Sequence, residues 1–221
     1  MDNKPKKLKS ELKILQWNSR SINNKLDELK SIANKYDIIL ISETWLNPEK
    51  TIKLPNYNII RKDRLFKCNN QDDHGGVCIF IKKNLQYKDC SNVFKIQEKI
   101  EITAVTIQLE QNEKLVICSI YRPPNCITNA TEWKNFFDQA SKFKYAIIGG
   151  DFNTHHTQWG SYKICTSGQS LSDTLLGSDF TICNDGSTTC IRKSNERITQ
   201  SAIDLTIVSS NLYLNTKWTI I

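Results

Sequence analysis

Two stretches limit what this chain can fold into: DIILISETWL, residues 37–46, and KYAIIGGDFN, residues 144–153. Each is continuously apolar for several residues and then stops at a carboxylate, Glu43 in the first and Asp151 in the second. A strand without polar alternation is covered on both faces, so both stretches predict interior strands of a sheet with a layer above and below. A carboxylate closing such a strand has to emerge where the chain leaves the layers.

The rest of the sequence supplies those layers. The apolar run ending at Asn18 reads as a first strand. Behind it, Ile22, Leu26, Leu29 and Ile32 recur at helical spacing, with Ser21 as the expected N-cap. With residues 37–46 this makes a β-α-β start. Four β-rich runs follow (residues 56–63, 75–84, 100–110 and 114–124), and their succession predicts antiparallel neighbours. A helix over residues 131–143, capped by Thr131, puts Trp133, Phe136 and Phe137 on one side. A second, over residues 167–180, turns Leu171, Leu175 and Leu176 inward and ends near Gly177. FTICND, TTCIRK, AIDLTIVSS and NTKWTII read as closing strands. No linker or repeat interrupts the pattern. A basic flexible tail (residues 1–11) therefore precedes one mixed α/β domain (residues 12–221).

Charge and cysteine content narrow the class. The net charge of +7 favours an acidic partner such as nucleic acid, and much of it lies in the first thirteen residues, at Lys4, Lys6, Lys7, Lys9 and Lys13. The eight cysteines form no C-x-x-C pair, and several sit inside strand-like runs, so they read as reduced core residues. No apolar run is long enough to span a bilayer, and the basic start lacks a signal-peptide core. The expectation is an intracellular protein with no membrane partner.

Each buried-looking strand ends in a polar residue: Asn18, Glu43, Tyr121, then Asp151 with Asn153, while Asp204 lies in SAIDLTI. Sites gather at the carboxyl ends of strands in α/β sheets. Glu43 with Asp151, Asn18 and Asn153 makes an oxygen-rich, sulfur-free set with the chemistry of a hard divalent cation site, such as one for Mg²⁺, which can polarise a phosphoryl oxygen. Singly, each member has a plainer reading: a turn former at Asn18, a paired or capping acid at Glu43, a satisfied structural acid at Asp204. The set points to metal-assisted phosphoester chemistry.

Six motifs in order, QWNSRSI, ISETWL, HGGVCIFIK, SIYRPP, GGDFNTHHTQWG and SAIDLTIVS, resemble the endonuclease/exonuclease/phosphatase superfamily. Within it, they are similar to the endonuclease domain of jockey-like non-LTR retrotransposons. The resemblance implies a deoxyribonuclease-like four-layer sandwich: two mixed β-sheets face to face, with helices outside. It implies Mg²⁺ (or Mn²⁺) on Glu43 and Asn18, and a phosphate or leaving-group contact from Tyr121. Asp151 would orient or deprotonate the attacking water, Asn153 would bind a phosphate oxygen, and Asp204 would orient a catalytic histidine. DNA is the implied substrate, nicked to a 3′-hydroxyl, and a reverse transcriptase region is the implied downstream partner. Nuclear residence follows from that role.

The family's Ser-Asp-His segment would come soon after NTKWTII, and none of His74, His155 and His156 holds its position. The chain is therefore expected to be a C-terminally truncated copy with an impaired site, since losing a charged donor costs about 3 kcal/mol of transition-state stabilisation. His155 and His156 are expected to shape their loop against Trp159 or to contact DNA. Arg122 is a candidate phosphate contact at the rim, and Trp45 is expected to pack beneath the groove. Two rival readings stand beside the nuclease: a non-catalytic nucleic-acid-binding remnant, and a phosphoesterase for a lipid or nucleotide.

Overall fold

The computed structural model describes residues 11–64, 74–109, 112–194 and 197–221. The basic tail up to Ser10 and Cys68 lie outside the described residues.

β1 (Ile14–Asn18) runs parallel to β2 (Ile38–Ser42), and α1 (Leu26–Ala33) connects them. β4 (Val77–Lys82) pairs antiparallel with β2 and with β3 (Tyr57–Lys62), which completes a mixed sheet ordered β1-β2-β4-β3. The second sheet is built from β5 (Tyr87–Asp89), β6 (Glu101–Gln108), β7 (Lys114–Tyr121), β8 (Tyr145–Asp151), β12 (Asp204–Ser209) and β9 (Phe180–Ile182), in that spatial order. Only β7 and β8 are parallel in it, joined by α2 (Ala130–Ala140). α3 (Thr166–Leu176) follows β8, a hairpin of β10 (Cys190–Ser194) and β11 (Arg197–Ser201) stands apart from both sheets, and the short α4 (Ser210–Tyr213) follows β12.

Three apolar layers explain the unbroken runs. Ile38 and Leu40 of β2 meet Val105, Ile107, Leu115 and Ile117 of the second sheet, while Ile39 and Ile41 point the other way, onto Leu29 and Ala33 of α1. On the far side, Val116, Cys118 and Ile148 cover Trp133, Phe136 and Phe137 of α2 and Leu171 of α3. The order is helix, sheet, sheet, helices, so the expected four-layer sandwich holds. Each fully buried large side chain contributes about 2 kcal/mol by leaving water. Cys78, Cys90, Cys118 and Cys126 are buried, and all seven described cysteines are free thiols. Burial pushes Cys90 and Cys183 up to about 11, which leaves them inert at neutral pH.

Local details differ from the sequence expectations for physical reasons. Ser21 makes no side-chain cap; at φ 85° it lies in a turn whose amide donates to the Glu43 carbonyl. α2 is capped by Asn129, not Thr131, through a reciprocal capping box with Glu132. Leu176 is 77% exposed, because α3 ends there and turns it outward. Residues 215–221 form no strand; Trp218 is tied by its indole N–H to Thr206 Oγ1 at 3.2 Å. β5 and β11 are short strands whose sequences carry little apolar alternation.

Candidate active site

Register brings the predicted polar residues together. Asn18 pairs with Ser42 across β1 and β2, so Asn18 and Glu43 emerge side by side. In the other sheet, Tyr121 is in register with Asp151, and Asp151 with Asp204. The two strand ends meet because the sheets are tied at this edge: Gln16 Nε2 donates to the Gly150 carbonyl at 3.1 Å, and Ser119 Oγ to the Ile41 carbonyl at 3.2 Å. The paired glycines are what allow it. A Cβ on Gly149 would stand 2.6 Å from Gln16 Oε1, and one on Gly150, where φ is +155°, would stand 1.9 Å from the Ile120 carbonyl oxygen.

Asn18 is the hinge of the arrangement. Its Nδ2 donates to Glu43 Oε1 at 2.8 Å and to Asp151 Oδ2 at 2.7 Å, bridging the sheets with one amide. The backbone around it is strained. Among the described residues, non-glycine positive φ occurs at Arg20, Ser21, Glu43, Trp45 and Asn153 in these strand-end loops, and elsewhere only at Asn56 and Asn112. Such strain persists where surrounding structure over-determines it, and it concentrates at functional sites. Trp45 is half-buried beside Glu43: its ring stacks on His74 at 4.0 Å, and its Nε1 donates to Glu43 Oε2 at 3.3 Å.

In the second sheet, the Asn153 amide N–H donates to Asp151 Oδ1 at 2.8 Å, and Asn153 Nδ2 to the Arg122 carbonyl at 2.8 Å. Arg122 corrects a sequence expectation. It is 2% exposed, and its five N–H donors are committed to Thr128 Oγ1, Ser167 Oγ and the carbonyls of Cys126, Phe152 and Asn153. It is a strut under the Asp151–Asn153 loop, with no donor left for a phosphate at the rim. Asp204 Oδ2 accepts from Thr189 Oγ1 at 2.9 Å, a partner the sequence did not suggest, while its Oδ1 has no partner among the described residues. His156 packs on Trp159 with ring centroids 5.1 Å apart and accepts from the Gln158 amide. His155 lines a neighbouring cleft, held toward its neutral form by burial and by Lys163 and Arg192.

Burial, with Asp204 and Glu43 beside it, holds Asp151 well above the usual carboxylate range. Burial likewise lifts Asp204, to about 6. Burial first, then Glu43 and Asp151, raises the Tyr121 phenol, so it remains a donor at neutral pH. Crowded carboxylates with raised pKa values are a fit for a cation, and the donors are all oxygen. Among the described residues no three Asp, Glu, His or Cys side chains close a metal cage. A hard ion such as Mg²⁺ is commonly held by one or two carboxylates with waters completing its shell. Two clefts open here. One, of about 930 Å³, borders Asn18, Arg20, Asp204 and Lys217; the other, of about 670 Å³, runs from Asn153 past Lys163 to Arg192.

A family model described as endonuclease-reverse transcriptase matches residues 115–221. Over 199 residues the chain is 26% identical to the RNA-directed DNA polymerase from mobile element jockey of Drosophila melanogaster, a match covering 89% of this chain and 20% of that protein. It spans about a fifth of the length of the curated relatives it matches. Among solved structures, the endonuclease domain of TRAS1, a telomere-specific non-LTR retrotransposon, aligns with a TM-score of 0.69 at 18% identity, covering 91% of this chain and 87% of that one. An AP endonuclease from Archaeoglobus fulgidus aligns at 0.60 and 14% identity, with 92% and 89% covered. At such identities, these structural matches establish the fold.

Proposed function

We propose that this chain, which resembles the endonuclease/exonuclease/phosphatase superfamily in sequence and fold, is a divalent-metal-dependent DNA endonuclease, hydrolysing a phosphodiester to leave a 3′-hydroxyl. The observation that carries the reading is the convergence of Glu43 and Asp151, one from each sheet, on the single amide of Asn18. Glu43 would hold Mg²⁺ or Mn²⁺, with Asn18 fixing its carboxylate. When bound, the ion supplies charge stabilisation for the phosphoryl and leaving oxygens.

The chain's own groups do the rest. Asp151 takes a proton from the attacking water, a task suited to a carboxyl whose pKa is raised toward the working pH. Asn153, its position fixed by Arg122, faces a phosphate oxygen, and Tyr121 donates from its protonated hydroxyl. Asp204 offers Oδ1 to a further donor, the role the superfamily gives to an imidazolium. Arg20 and Lys217 along one cleft, with Lys163 and Arg192 along the other, favour a polyanion over a lipid or small nucleotide. Because the relatives are RNA-directed DNA polymerases of mobile elements, we assign the nick to priming reverse transcription by a polymerase region of the same element, in the nucleus.

Supercoiled plasmid incubated with the protein and Mg²⁺, with EDTA, and with Asp151→Ala tests the reading. Metal-dependent nicking that the variant lacks supports it. Salt-dependent binding without cleavage by a folded protein supports the non-catalytic nucleic-acid-binding alternative instead.

A further inference from the structure

One buried ion pair lies outside the roles given above. Arg64, just past the end of β3, donates from Nε to Glu101 Oε1 at 2.5 Å, and Glu101 opens β6. The pair therefore crosses from the first sheet to the second at the same edge as the site. Both side chains are largely removed from water, at 17% and 6% exposure. A buried ion pair is a poor source of net stability compared with apolar packing, and it is strongly demanding of geometry. Its placement suits a positioning role better than a cohesive one.

What the pair touches defines that role. Glu101 Oε2 accepts from the Gly76 amide at 2.6 Å, and Arg64 Nη1 donates to the His74 carbonyl at 2.6 Å. The 74–76 segment is thereby pinned at both ends. Its carbonyls in turn receive the strained loop that carries Glu43: Thr44 N donates to the Gly76 oxygen at 3.1 Å, and Trp45 N to the Gly75 oxygen at 2.8 Å. Trp45 then reaches back to Glu43 Oε2. On its other side, Arg64 lies over the Tyr121 ring, 5.4 Å from its centroid, and Tyr121 is the register partner of Glu101. Arg64 Nη2 has no acceptor among the described residues, so the guanidinium keeps its place over the ring at the expense of one hydrogen bond.

We infer that the Arg64–Glu101 pair is a positioning element, holding the Glu43 loop of one sheet and the Tyr121 ring of the other at a fixed separation. Its activity arm rests on the nuclease reading and its Tb³⁺ arm on Glu43 as the cation ligand. The test compares Arg64→Gln, Arg64→Lys and Glu101→Gln with Asp37→Asn, which breaks the Lys82–Asp37 pair at the opposite end of β2. Two quantities are measured: Tb³⁺ affinity from tryptophan-sensitised luminescence, and kcat with KM for Mg²⁺-dependent plasmid nicking.

Outer-shell residues set geometry at a cost of about tenfold to a hundredfold when lost, so Arg64→Gln and Glu101→Gln should each lower Tb³⁺ affinity and kcat by that much with KM unchanged. Arg64→Lys, which keeps the charge beside Glu101, should recover part of both. Should Glu101→Gln fail to fold, the two Arg64 variants decide alone. Tb³⁺ affinity and kcat indistinguishable from Asp37→Asn would overturn the inference. So would a raised KM with a salt dependence shallower by about one phosphate contact, which would make Arg64 a DNA contact. If the parent protein nicks nothing, the nuclease reading fails, and Tb³⁺ affinity still decides the positioning role.

Discussion

Asp151 and Asp204 stand directly opposite each other in the antiparallel pairing of β8 and β12. Like charges in that relation repel, and here burial adds to the repulsion. Both carboxyls are raised in the folded protein, Asp204 to about 6 and Asp151 well above the usual carboxylate range. In the unfolded chain they titrate near 4, as free aspartates do. Between those values the folded state binds more protons than the unfolded one, so stability falls as pH rises. Metal-free protein should therefore melt higher at pH near 5 than near 7.5, by at least about 2 °C for a chain this size. Lowered in the fold, His155 contributes the opposite slope, so the comparison that isolates the acids is Asp204→Asn, which should flatten the profile. Mg²⁺ at neutral pH should close part of the same gap. A wild-type profile that rises with pH as steeply as the variant's would rule this out.

Arg122 offers a sharp contrast between two roles. As a phosphate contact, its loss would weaken DNA binding and reduce the salt slope by about one. As the buried strut observed, Arg122→Lys leaves several of its five acceptors unpaired, and each buried orphan costs about 1–3 kcal/mol. The expected result is a loss of about 3 kcal/mol in denaturant unfolding and reduced kcat, with an unchanged salt slope for DNA binding.

Gly150 and Gly177 should answer substitution in opposite ways. At Gly150 an added Cβ meets the Ile120 backbone in a positive-φ residue, and Gly150→Ala should cost at least about 3 kcal/mol. At Gly177 φ is −101° and the nearest atom to an added Cβ is 4.0 Å away, so Gly177→Ala should be neutral or stabilising by about 0.5 kcal/mol. Urea midpoints for the two variants test the pair.

The layers and the strand ends were legible because their cause is local. An unbroken apolar run such as Ile38–Ile41 needs cover on both faces, and the polar residue that stops it marks the edge. Two sheets meeting at that edge bring Asn18, Glu43 and Asp151 into contact, and the motifs pointed there. What the sequence hid depends on partners far along the chain. Arg122 looks like a surface arginine until the carbonyls of Phe152 and Asn153 fold over it. Thr189 becomes a site residue only through its bond to Asp204, fifteen positions later. Thr131 was mistaken for the cap of α2 because helix periodicity begins near it, whereas the Asn129–Glu132 reciprocity was there to be read two residues earlier.

Tyr121 separates hydrogen-bond donation from phenolate chemistry. Burial, and behind it Glu43 and Asp151, disfavour the phenolate, so the hydroxyl keeps its proton well beyond the ordinary tyrosine range. A donor of that kind stabilises developing charge on the phosphate without titrating during turnover. Tyr121→Phe should therefore lower kcat by about a hundredfold with little change in the KM for DNA. The alkaline limb of the pH–rate profile should survive in the variant, because Tyr121 does not produce it. Ultraviolet phenolate titration gives the independent reading: subtracting the Tyr121→Phe curve from the wild-type curve should leave no phenolate signal at pH values where exposed tyrosines ionise. A difference signal appearing with the exposed tyrosines would place the hydroxyl in water and remove it from the site.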